Sequence, residues 1–322
     1  MLKYVLRRVG ASALVLLIAT AVVFVLVREF GPDPAEARCR SSRNKVACEQ
    51  SARVALGLND PLHEQYFNFM GDFLQGDWGN SQRSDRSVAA SISDDLWDTA
   101  QLAFWGVLVS VGLAVTIGGY SARKPYSKGD SLFTGIAFAG ISMPTFWFGL
   151  ITIHYLTGEL KDVLGTSEPI FYSIPNPVGS GVVEYARELT LPVLVLSVQL
   201  VAGWSRYQRS SMLDELHHDY IRTARAKGLS ERRVVWKHGL RNSLSPLVTV
   251  IALDFGGLFG GLIITETVFA RHGMGRLLVD AAVSGDTQVL IPWMFVTGAI
   301  IILFNLLADV LYAVLDPRVR VA

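Results

Sequence analysis

The chain is poor in charged residues and lacks the motifs that most often carry enzyme chemistry. Of its 322 residues, 18% are charged and 51% are hydrophobic. The sequence has no Gly-Lys dipeptide, which excludes a P-loop nucleotide site. It also has no Gly-x-Ser-x-Gly elbow and no clustered metal ligands, so an enzyme such as an intramembrane hydrolase has little support. We therefore expect no catalytic residue, no metal site and no cofactor bound by this chain itself.

Long apolar runs dominate the sequence instead. The first, Val9 to Val27, contains 19 residues without a charge, which at about 1.5 Å per residue is long enough to cross the hydrocarbon core of a bilayer. Five further runs cover residues 99–122, 131–156, 189–205, 246–269 and 290–315. A soluble protein of this length would instead show helices with one polar face. The pattern predicts an all-α membrane protein with six transmembrane helices.

The distribution of Lys and Arg predicts which side of the membrane each loop faces. With the N-terminus inside, the inner segments carry 17 basic residues and the outer segments carry 12. Eight of those 12 fall in the loop 28–98, and loops beyond about 60 residues translocate largely regardless of charge. Both termini are therefore predicted to be cytoplasmic, with residues 28–98 as an extracytoplasmic insertion.

This orientation divides the chain into four parts. Residues 1–27 form the N-terminal tail and first transmembrane helix, and residues 28–98 form the insertion. A five-helix core (99–315) contains a cytoplasmic loop at 206–245, and residues 316–322 form the tail. The two cysteines, Cys39 and Cys48, both fall in the insertion. Their spacing suits a disulfide, with two free thiols or zinc ligands as the alternatives.

The segment 206–245, called the basic loop below, holds nine Lys and Arg residues. Each would cost about 2.5–3.5 kcal/mol in hydrocarbon, so the basic loop must lie in water or against another protein. Its first predicted helix runs from about residue 217 to 227 and stops at Gly228, in the left-handed conformation that glycine favours. Tyr220, Ala224 and Gly228 share one stripe of this helix, whose small residues would let another surface approach. The basic residues lie elsewhere around the axis, at Arg222, Arg225 and Lys227.

A second helix in the basic loop is predicted to begin after Ser230 as its N-cap. Leu229 before the cap and Val234 inside the helix would form a hydrophobic staple. Gly239 is predicted to end this helix, and Pro246 to open the next span. This helix-glycine-helix order favours docking against a protein partner, and the basic residues would steer toward an acidic one. A solvated positive-inside loop and a patch held to anionic lipid are the alternatives.

The motif TARAKGLSERRVVWKHGLRNSLSP, at residues 223–246, closely resembles the EAA loop of ABC importer permeases, in its oligopeptide and dipeptide version. Gly228 matches the glycine of that loop, and Ala224 matches the second alanine of its Glu-Ala-Ala opening. Three positions depart from the general pattern: Arg222 stands for the glutamate, Thr223 for the first alanine and Arg241 for the proline. These departures resemble the peptide-permease branch, but they weaken any ion-pair role borrowed from the glutamate.

The resemblance extends over nearly the whole chain. The opening YVLRRVGASALVLLIATAVVFVLV is similar to the first span of the B-type permease subunit. Further landmarks are GPDPA, LGLNDPLHEQY, LQGDWGNS, WDTAQLA, ISMPTFWFGL and LADVLYAVLDPRVR. The long loop after the first span favours the B-type over the C-type subunit.

Membership of this family would imply a fold, a function and a set of partners. The fold would be that of the type I importer permeases, in the bacterial cytoplasmic membrane. The function would be ATP-driven peptide import, with a second permease subunit, two ATP-binding subunits that hold ATP and Mg²⁺, and an extracytoplasmic peptide-binding protein. The residues implied to couple this chain to the ATPases are Tyr220, Arg222, Thr223, Ala224, Lys227 and Gly228.

Polar groups inside predicted spans are expensive in lipid and are therefore functional candidates. Those within or near the ends of the spans are His154, Gln199, Asp254, Glu266, Asn305 and Asp309. We select Asp254 and Gln199 as candidates for the substrate path. Pro144 joins them, because proline removes a helix hydrogen bond and can kink the third span. Bonding to neighbouring helices is the structural alternative for each polar group.

The segment GGLFGG in the fifth span contains two overlapping GxxxG pairs, Gly256 with Gly260 and Gly257 with Gly261. Such pairs permit close contact between helices. Packing within this chain and packing against a second permease subunit are both open.

Two functions of other classes remain open from the sequence. An ion-coupled secondary transporter would use Asp254, Glu266 and Asp309 as relay carboxylates, and its uptake would depend on a proton gradient rather than on ATP. A purely structural membrane scaffold would tolerate substitution of Asp254 or Gly228. The secondary transporter leaves the helix-glycine-helix order of the basic loop unexplained.

Overall fold

The structure, a computed structural model, describes residues 2–39, 42–174 and 181–315. Within these residues the regular structure is helical, apart from one isolated bridge between Asn80 and Ser87. The α-helices described are α1 (Leu2–Phe30), α2 (Pro34–Arg38), α3 (Lys45–Ala55), α4 (Leu62–Leu74), α5 (Val88–Arg123), α6 (Lys128–Ser142), α7 (Thr145–Ile153), α8 (Leu160–Leu164), α9 (Val182–Leu216), α10 (Asp219–Ala226), α11 (Glu231–Arg233), α12 (Leu240–Gly261), α13 (Ile263–Val268), α14 (Met274–Ser284) and α15 (Thr287–Leu315). Two π-helical turns, His154–Glu159 and Val234–Gly239, join α7 to α8 and α11 to α12.

Five stretches of helix in the described residues are long and apolar enough to cross a membrane. Their bounds are Arg7–Phe30, Val88–Arg123, Val182–Leu216, Glu231–Gly260 and Thr287–Leu311. A sixth span is present if the bent pair Lys128–Ser142 and Thr145–Leu164 is counted as one. These segments match the six predicted runs, with the third run broken.

The break in the third span is sharper than the predicted kink. The two halves meet at 102°, with Met143 in an extended conformation and Pro144 immediately before α7. Proline has no N–H to donate and disfavours the helical conformation in the residue before it, so α6 ends at Ser142.

The chain divides into two compact units. Unit one comprises Met1–Thr99, Phe259–Ile263 and His272–Leu303. Unit two comprises Ala100–Leu258, Ile264–Arg271 and Phe304–Ala322.

In unit one, the segment that follows α1 is ordered and has a small core of its own. The fully buried Phe24 of α1 meets Tyr66 of α4 edge to face, with ring centroids 5.5 Å apart. The hydroxyl groups of Thr20 and Tyr66 lie 3.0 Å apart, within hydrogen-bond distance. Cys39, at the end of α2, forms a disulfide with Cys48 of α3, and their Cα atoms are 5.9 Å apart. This bond ties two short helices that have little apolar surface with which to hold each other.

In unit two, α9 is the element against which the others pack. Trp204 of α9 is 3% exposed and forms a buried cluster with Ala114 of α5 and Leu247 of α12. Gly140 of α6 lies so close to α9 that a Cβ atom there would be 3.1 Å from Val198. The small residues of α6 therefore allow it to lie directly on α9, as is common between helices in membranes.

Candidate functional site

The first helix of the basic loop ends as the sequence predicts. α10 covers Asp219–Ala226, and Gly228 follows it with a φ of 75°. The N–H of Gly228 donates to the carbonyl of Arg225 at 2.9 Å, and that of Leu229 donates to the carbonyl of Ala224 at 3.4 Å. This pair of bonds is a Schellman motif, which needs a left-handed residue at the position that Gly228 occupies. The glycine therefore fixes a sharp turn at the end of α10.

The second helix begins as predicted but does not end there. Ser230 stands at the N-cap, where its carbonyl, and not its side chain, accepts the N–H groups of Arg233 and Val234. The prediction that Gly239 stops this helix and that Pro246 opens the span is wrong, because one continuous helical segment runs from Glu231 to Gly261. A Cβ atom on Gly239 would lie 3.0 Å from Met212. This glycine is present for close packing and not as a helix stop.

The core of the basic loop corrects one expectation about α10. Ile221 is fully buried and Ala224 is 8% exposed, and both pack in one cluster with Val234 and Val235. Further members of that cluster are Ala122, Met212 and Leu216, with Leu229 packed against it. Ala224 is therefore covered by this same chain and is not offered to another protein, whereas Tyr220 and Gly228 of the same stripe are exposed. Leu229 and Val234, the two residues of the predicted hydrophobic staple, are both part of this packing.

Tyr220 is held in place by two hydrogen bonds. Its hydroxyl donates to the carboxylate of Glu215, and the side-chain amide of Asn242 donates to its oxygen at 3.0 Å. Partial burial and the bond to Glu215 raise the pKa of Tyr220 to about 12. The phenol is therefore neutral at physiological pH. It connects α10 to the C-terminal end of α9 and to the start of α12.

The outward face of the basic loop is polar and basic. Arg222, Thr223 and Lys227 are exposed, as the sequence predicts for the basic positions. Arg225 crosses the turn at Gly228 and makes two hydrogen bonds to Glu231, at 2.8 and 3.2 Å. These bonds raise the pKa of Arg225. The turn is thus braced from both sides, by the buried cluster and by this ion pair.

Two substrate-path candidates come together at the break in the third span. The side-chain amide of Gln199, on α9, donates to the carbonyl of Met143 at 3.3 Å. Met143 directly precedes Pro144. Because proline has no backbone N–H, the hydrogen bonds of the helix are interrupted at this point. Gln199 therefore supplies a hydrogen bond to backbone at the break, which is the structural alternative considered for it.

Asp254 has a different partner. The indole N–H of Trp204 donates to its carboxylate at 2.7 Å. Trp204 is buried, whereas Asp254 lies on the exposed side of α12. Gln199 and Trp204 are about 140° apart around α9, so this helix presents the two polar contacts on different faces.

The four glycines of GGLFGG have different surroundings. Gly256 is buried, and Gly257 is exposed with nothing within 4 Å of its Cβ position. A Cβ atom on Gly260 would lie 3.4 Å from Thr297, in ordinary contact. Gly261 is the last residue of α12, and its surroundings lie outside the described part of the chain. Gly257 is thus the one of the three described glycines that leaves an open surface on α12.

The remaining intramembrane candidates are scattered. Glu266 is fully buried in α13, and His154 is exposed on the π-helical turn after α7. Asp309 and Asn305 lie partly buried on α15. Among the described residues, no group of three or more His, Cys, Asp or Glu side chains is placed to hold a metal ion.

Sequence reasoning missed a buried ion pair between Asp130 and Arg209. Asp130, at the start of α6, is 3% exposed and accepts two hydrogen bonds from Arg209 of α9. The backbone N–H of Tyr126 adds a third bond, at 2.8 Å. The available signal was an acidic residue at the edge of one apolar run and a basic residue at the edge of another, but their pairing depends on how α6 lies on α9.

Family models and known relatives agree on the kind of protein. Residues 114–321 match the family described as binding-protein-dependent transport system inner membrane component, and residues 1–103 match the N-terminal model of such membrane components. A solved chain of the MetNI methionine ABC transporter, in an inward-facing conformation, has a TM-score of 0.52 and 16% identity. It covers 70% of this chain and 96% of its own length, and at that identity it supports the fold alone.

Relatives of known description match over almost their full length. The oligopeptide transport system permease protein AppB of Bacillus subtilis is 36% identical, over 99% of this chain and 100% of the relative. The dipeptide permease DppB of Escherichia coli is 34% identical and the glutathione permease GsiC of Salmonella typhimurium is 37% identical, each over 99% of both chains. The chain belongs to the binding-protein-dependent transport system inner membrane components, the multi-pass permease subunits of ABC importers, and within them to the peptide permeases.

Proposed function

We propose that this chain forms one half of the translocation path of an ATP-driven peptide importer. The relatives named above are permeases for oligopeptides, dipeptides and glutathione. A second permease subunit completes the path, and an extracytoplasmic binding protein delivers the peptide. ATP and Mg²⁺ bind to two ATPase subunits and not to this chain. Both termini and the basic loop face the cytoplasm, and the insertion after α1 faces outward.

The observation that carries this proposal is the build of the basic loop. Its outer face presents Arg222, Thr223 and Lys227, while its inner face packs against α9 through Ile221 and Ala224. The Gly228 turn and the Arg225–Glu231 pair hold α10 at a fixed angle to the segment that continues into α12. A push on α10 is therefore transmitted to the membrane helices instead of being absorbed by a flexible loop. This is the property that a coupling element to an ATPase requires.

The side chains assigned to coupling have two tasks in this proposal. Arg222, Thr223 and Lys227 contact the ATPase, whereas Tyr220, Ala224 and Gly228 keep α10 in position. For the path itself we assign Asp254, which is the exposed carboxylate on α12. Pro144 and Gln199 shape the break in the third span, and Gly257 leaves room for the second permease subunit.

Affinity purification from the native membrane in mild detergent tests the proposal. We expect a second permease and ATP-binding subunits to be recovered with this chain in a fixed ratio. Vanadate-sensitive uptake of labelled peptide in vesicles, insensitive to collapse of the proton gradient, is the matching functional result. Recovery of the chain alone from membranes that carry out uptake would contradict the proposal, as would uptake that stops when the gradient is collapsed at constant ATP.

A further inference from the structure

An apolar groove lies between α5 and α6, with α9 as its floor. Its volume is about 400 Å³. The deep side is made of small buried residues, Ala137 of α6 and Ser197 and Ala202 of α9. The rims are formed by large apolar side chains that are exposed, such as Leu113 at 46% and Ile136 at 58%. The groove therefore opens on the surface of unit two and not into its core.

The length and lining of the groove suit a hydrocarbon chain. It follows α9 from Thr190 to Ser205, a rise of about 22 Å, which exceeds the roughly 15 Å of hydrocarbon in one leaflet. Its lining is mostly apolar along this length.

One end of the groove is polar and carries a positive charge. A cleft that shares Ile117 and Phe133 with the groove is also lined by Thr134, Arg206 and Arg209. The charge of Arg209 is neutralised by its ion pair with Asp130 (described above). Arg206 has no carboxylate partner among the described residues.

The geometry of Arg206 leaves its terminal nitrogens available. Its guanidinium lies 4.9 Å over the ring of Phe138, and its Nε donates to the carbonyl of Ala202 at 3.0 Å. The terminal nitrogens make no hydrogen bond to any described residue. A fixed guanidinium with free N–H groups is well suited to a phosphate, to which arginine can donate two parallel hydrogen bonds.

The turn between α5 and α6 closes the groove at this same end. Tyr120 of α5 and Phe133 of α6 meet edge to face, with centroids 5.8 Å apart. The turn itself exposes Arg123, Lys124 and Lys128. Basic side chains beside a membrane surface attract anionic lipid by about 1 kcal/mol each. The apolar groove thus ends at a basic rim, in the same way that the acyl chains of a phospholipid end at its charged headgroup.

We propose that the groove between α5 and α6 is a binding site for an anionic glycerophospholipid, with an acyl chain along α9 and the phosphate on Arg206. The groove lining contains none of the residues assigned to the substrate path, so failure of this proposal would leave the proposed transport function untouched. A bound lipid at this position would brace α6, and therefore the broken third span, against α9.

Native mass spectrometry of the purified complex tests the site. The complex is delipidated and then exchanged into vesicles of phosphatidylcholine alone or mixed with phosphatidylglycerol of the same acyl chains. We expect phosphatidylglycerol to stay bound and to raise the temperature of unfolding. Glycerol phosphate without acyl chains should give neither effect, which separates a lipid from a free phosphate. Equal retention of the two lipids would overturn the proposal.

Two pairs of variants locate the binding. Val201→Phe fills the groove, and Val22→Phe makes the same change on the 51% exposed Val22 of α1. Arg206→Gln removes the charge, and Arg7→Gln removes another exposed arginine. We expect Arg206→Gln to lose about fivefold of the preference for phosphatidylglycerol, the effect of one basic side chain, and Val201→Phe to lose retention of both lipids. Equal effects within either pair would overturn the assignment to this groove.

Discussion

Asp130 and Arg209 form a bidentate ion pair in which Nε and Nη2 of the arginine each lie 2.8 Å from a carboxylate oxygen. The pair joins the first turn of α6 to the C-terminal part of α9, which falls within the basic loop. Because Asp130 is 3% exposed, water cannot take the place of Arg209 in solvating its carboxylate.

Removal of one member of this pair should destabilise the protein strongly. We expect Asp130→Asn to lower the free energy of unfolding by about 3–5 kcal/mol, since Arg209 would keep a charge without its counter-ion. The double variant Asp130→Leu, Arg209→Met should recover part of that loss, because no buried charge is left unpaired, while the backbone N–H of Tyr126 still loses its acceptor. Thermal unfolding in detergent, followed by tryptophan fluorescence, measures both. A double variant less stable than the single one would contradict this account.

Gly228 should tolerate asparagine better than a β-branched residue. A Cβ atom at this position meets nothing within 4 Å, so the cost of substitution lies in the left-handed backbone, about 1–2 kcal/mol for valine and less for asparagine. We expect Gly228→Val to reach the membrane and to disconnect ATP hydrolysis from uptake, while Gly228→Asn stays near wild type. Peptide uptake and ATPase rate in the same vesicles are the measurements. Normal uptake by the valine variant would refute the assignment of this turn to coupling.

Arg225 and Glu231 should act through their pairing and not through their individual identity. Both are about half exposed, so the pair adds only about 0.5 kcal/mol to stability. We expect Arg225→Glu to lower coupled uptake through repulsion of Glu231, and the exchange Arg225→Glu with Glu231→Arg to restore it. A double variant that transports no better than the single one would place Arg225 at the partner surface instead of in the brace.

The disulfide should matter for the insertion and little for the membrane core. Loss of a disulfide that closes a loop of this size costs about 2–3 kcal/mol in the chain-entropy model. We expect Cys39→Ser, Cys48→Ser and the double variant to increase proteolysis between α2 and α4 to the same extent. A reducing agent should have that effect on the wild type and none on the variants. Unequal effects of the two single variants would show that one thiol has a separate role.

The roles of Asp254 and Trp204 can be distinguished by comparing the uptake of peptides that differ in charge. Asp254→Asn keeps an oxygen that accepts from the indole but removes the charge, whereas Trp204→Phe keeps the charge and removes the donor. If Asp254 lines the path, Asp254→Asn should lower uptake of cationic peptides more than that of anionic ones. Trp204→Phe should lower stability by about 1–2 kcal/mol without that selectivity. Equal loss for both peptide classes in Asp254→Asn would reduce the carboxylate to a structural partner of Trp204.

Composition and local pattern in the sequence were sufficient for the class of fold. Apolar runs of about 20 residues leave a helix as the only stable arrangement, since its backbone groups are satisfied within the segment. The turn at Gly228 was also predictable, because the left-handed conformation is a local property that glycine favours. The break at Pro144 follows from the same kind of local reasoning, although its angle of 102° does not.

Features that depend on which surfaces meet were decided by the tertiary structure. Gly239 looks like a helix stop in the sequence, yet the close approach of Met212 shows that it is a packing residue in a continuous helix. Ala224 looks like a surface for a partner until Val234 is placed against it. The pairing of Asp130 with Arg209 and the groove beneath Ile136 also require α6 to lie on α9. A local pattern reports the conformation of one segment, whereas burial and ion pairing depend on a second segment distant in the chain, and for this reason only the fold could decide them.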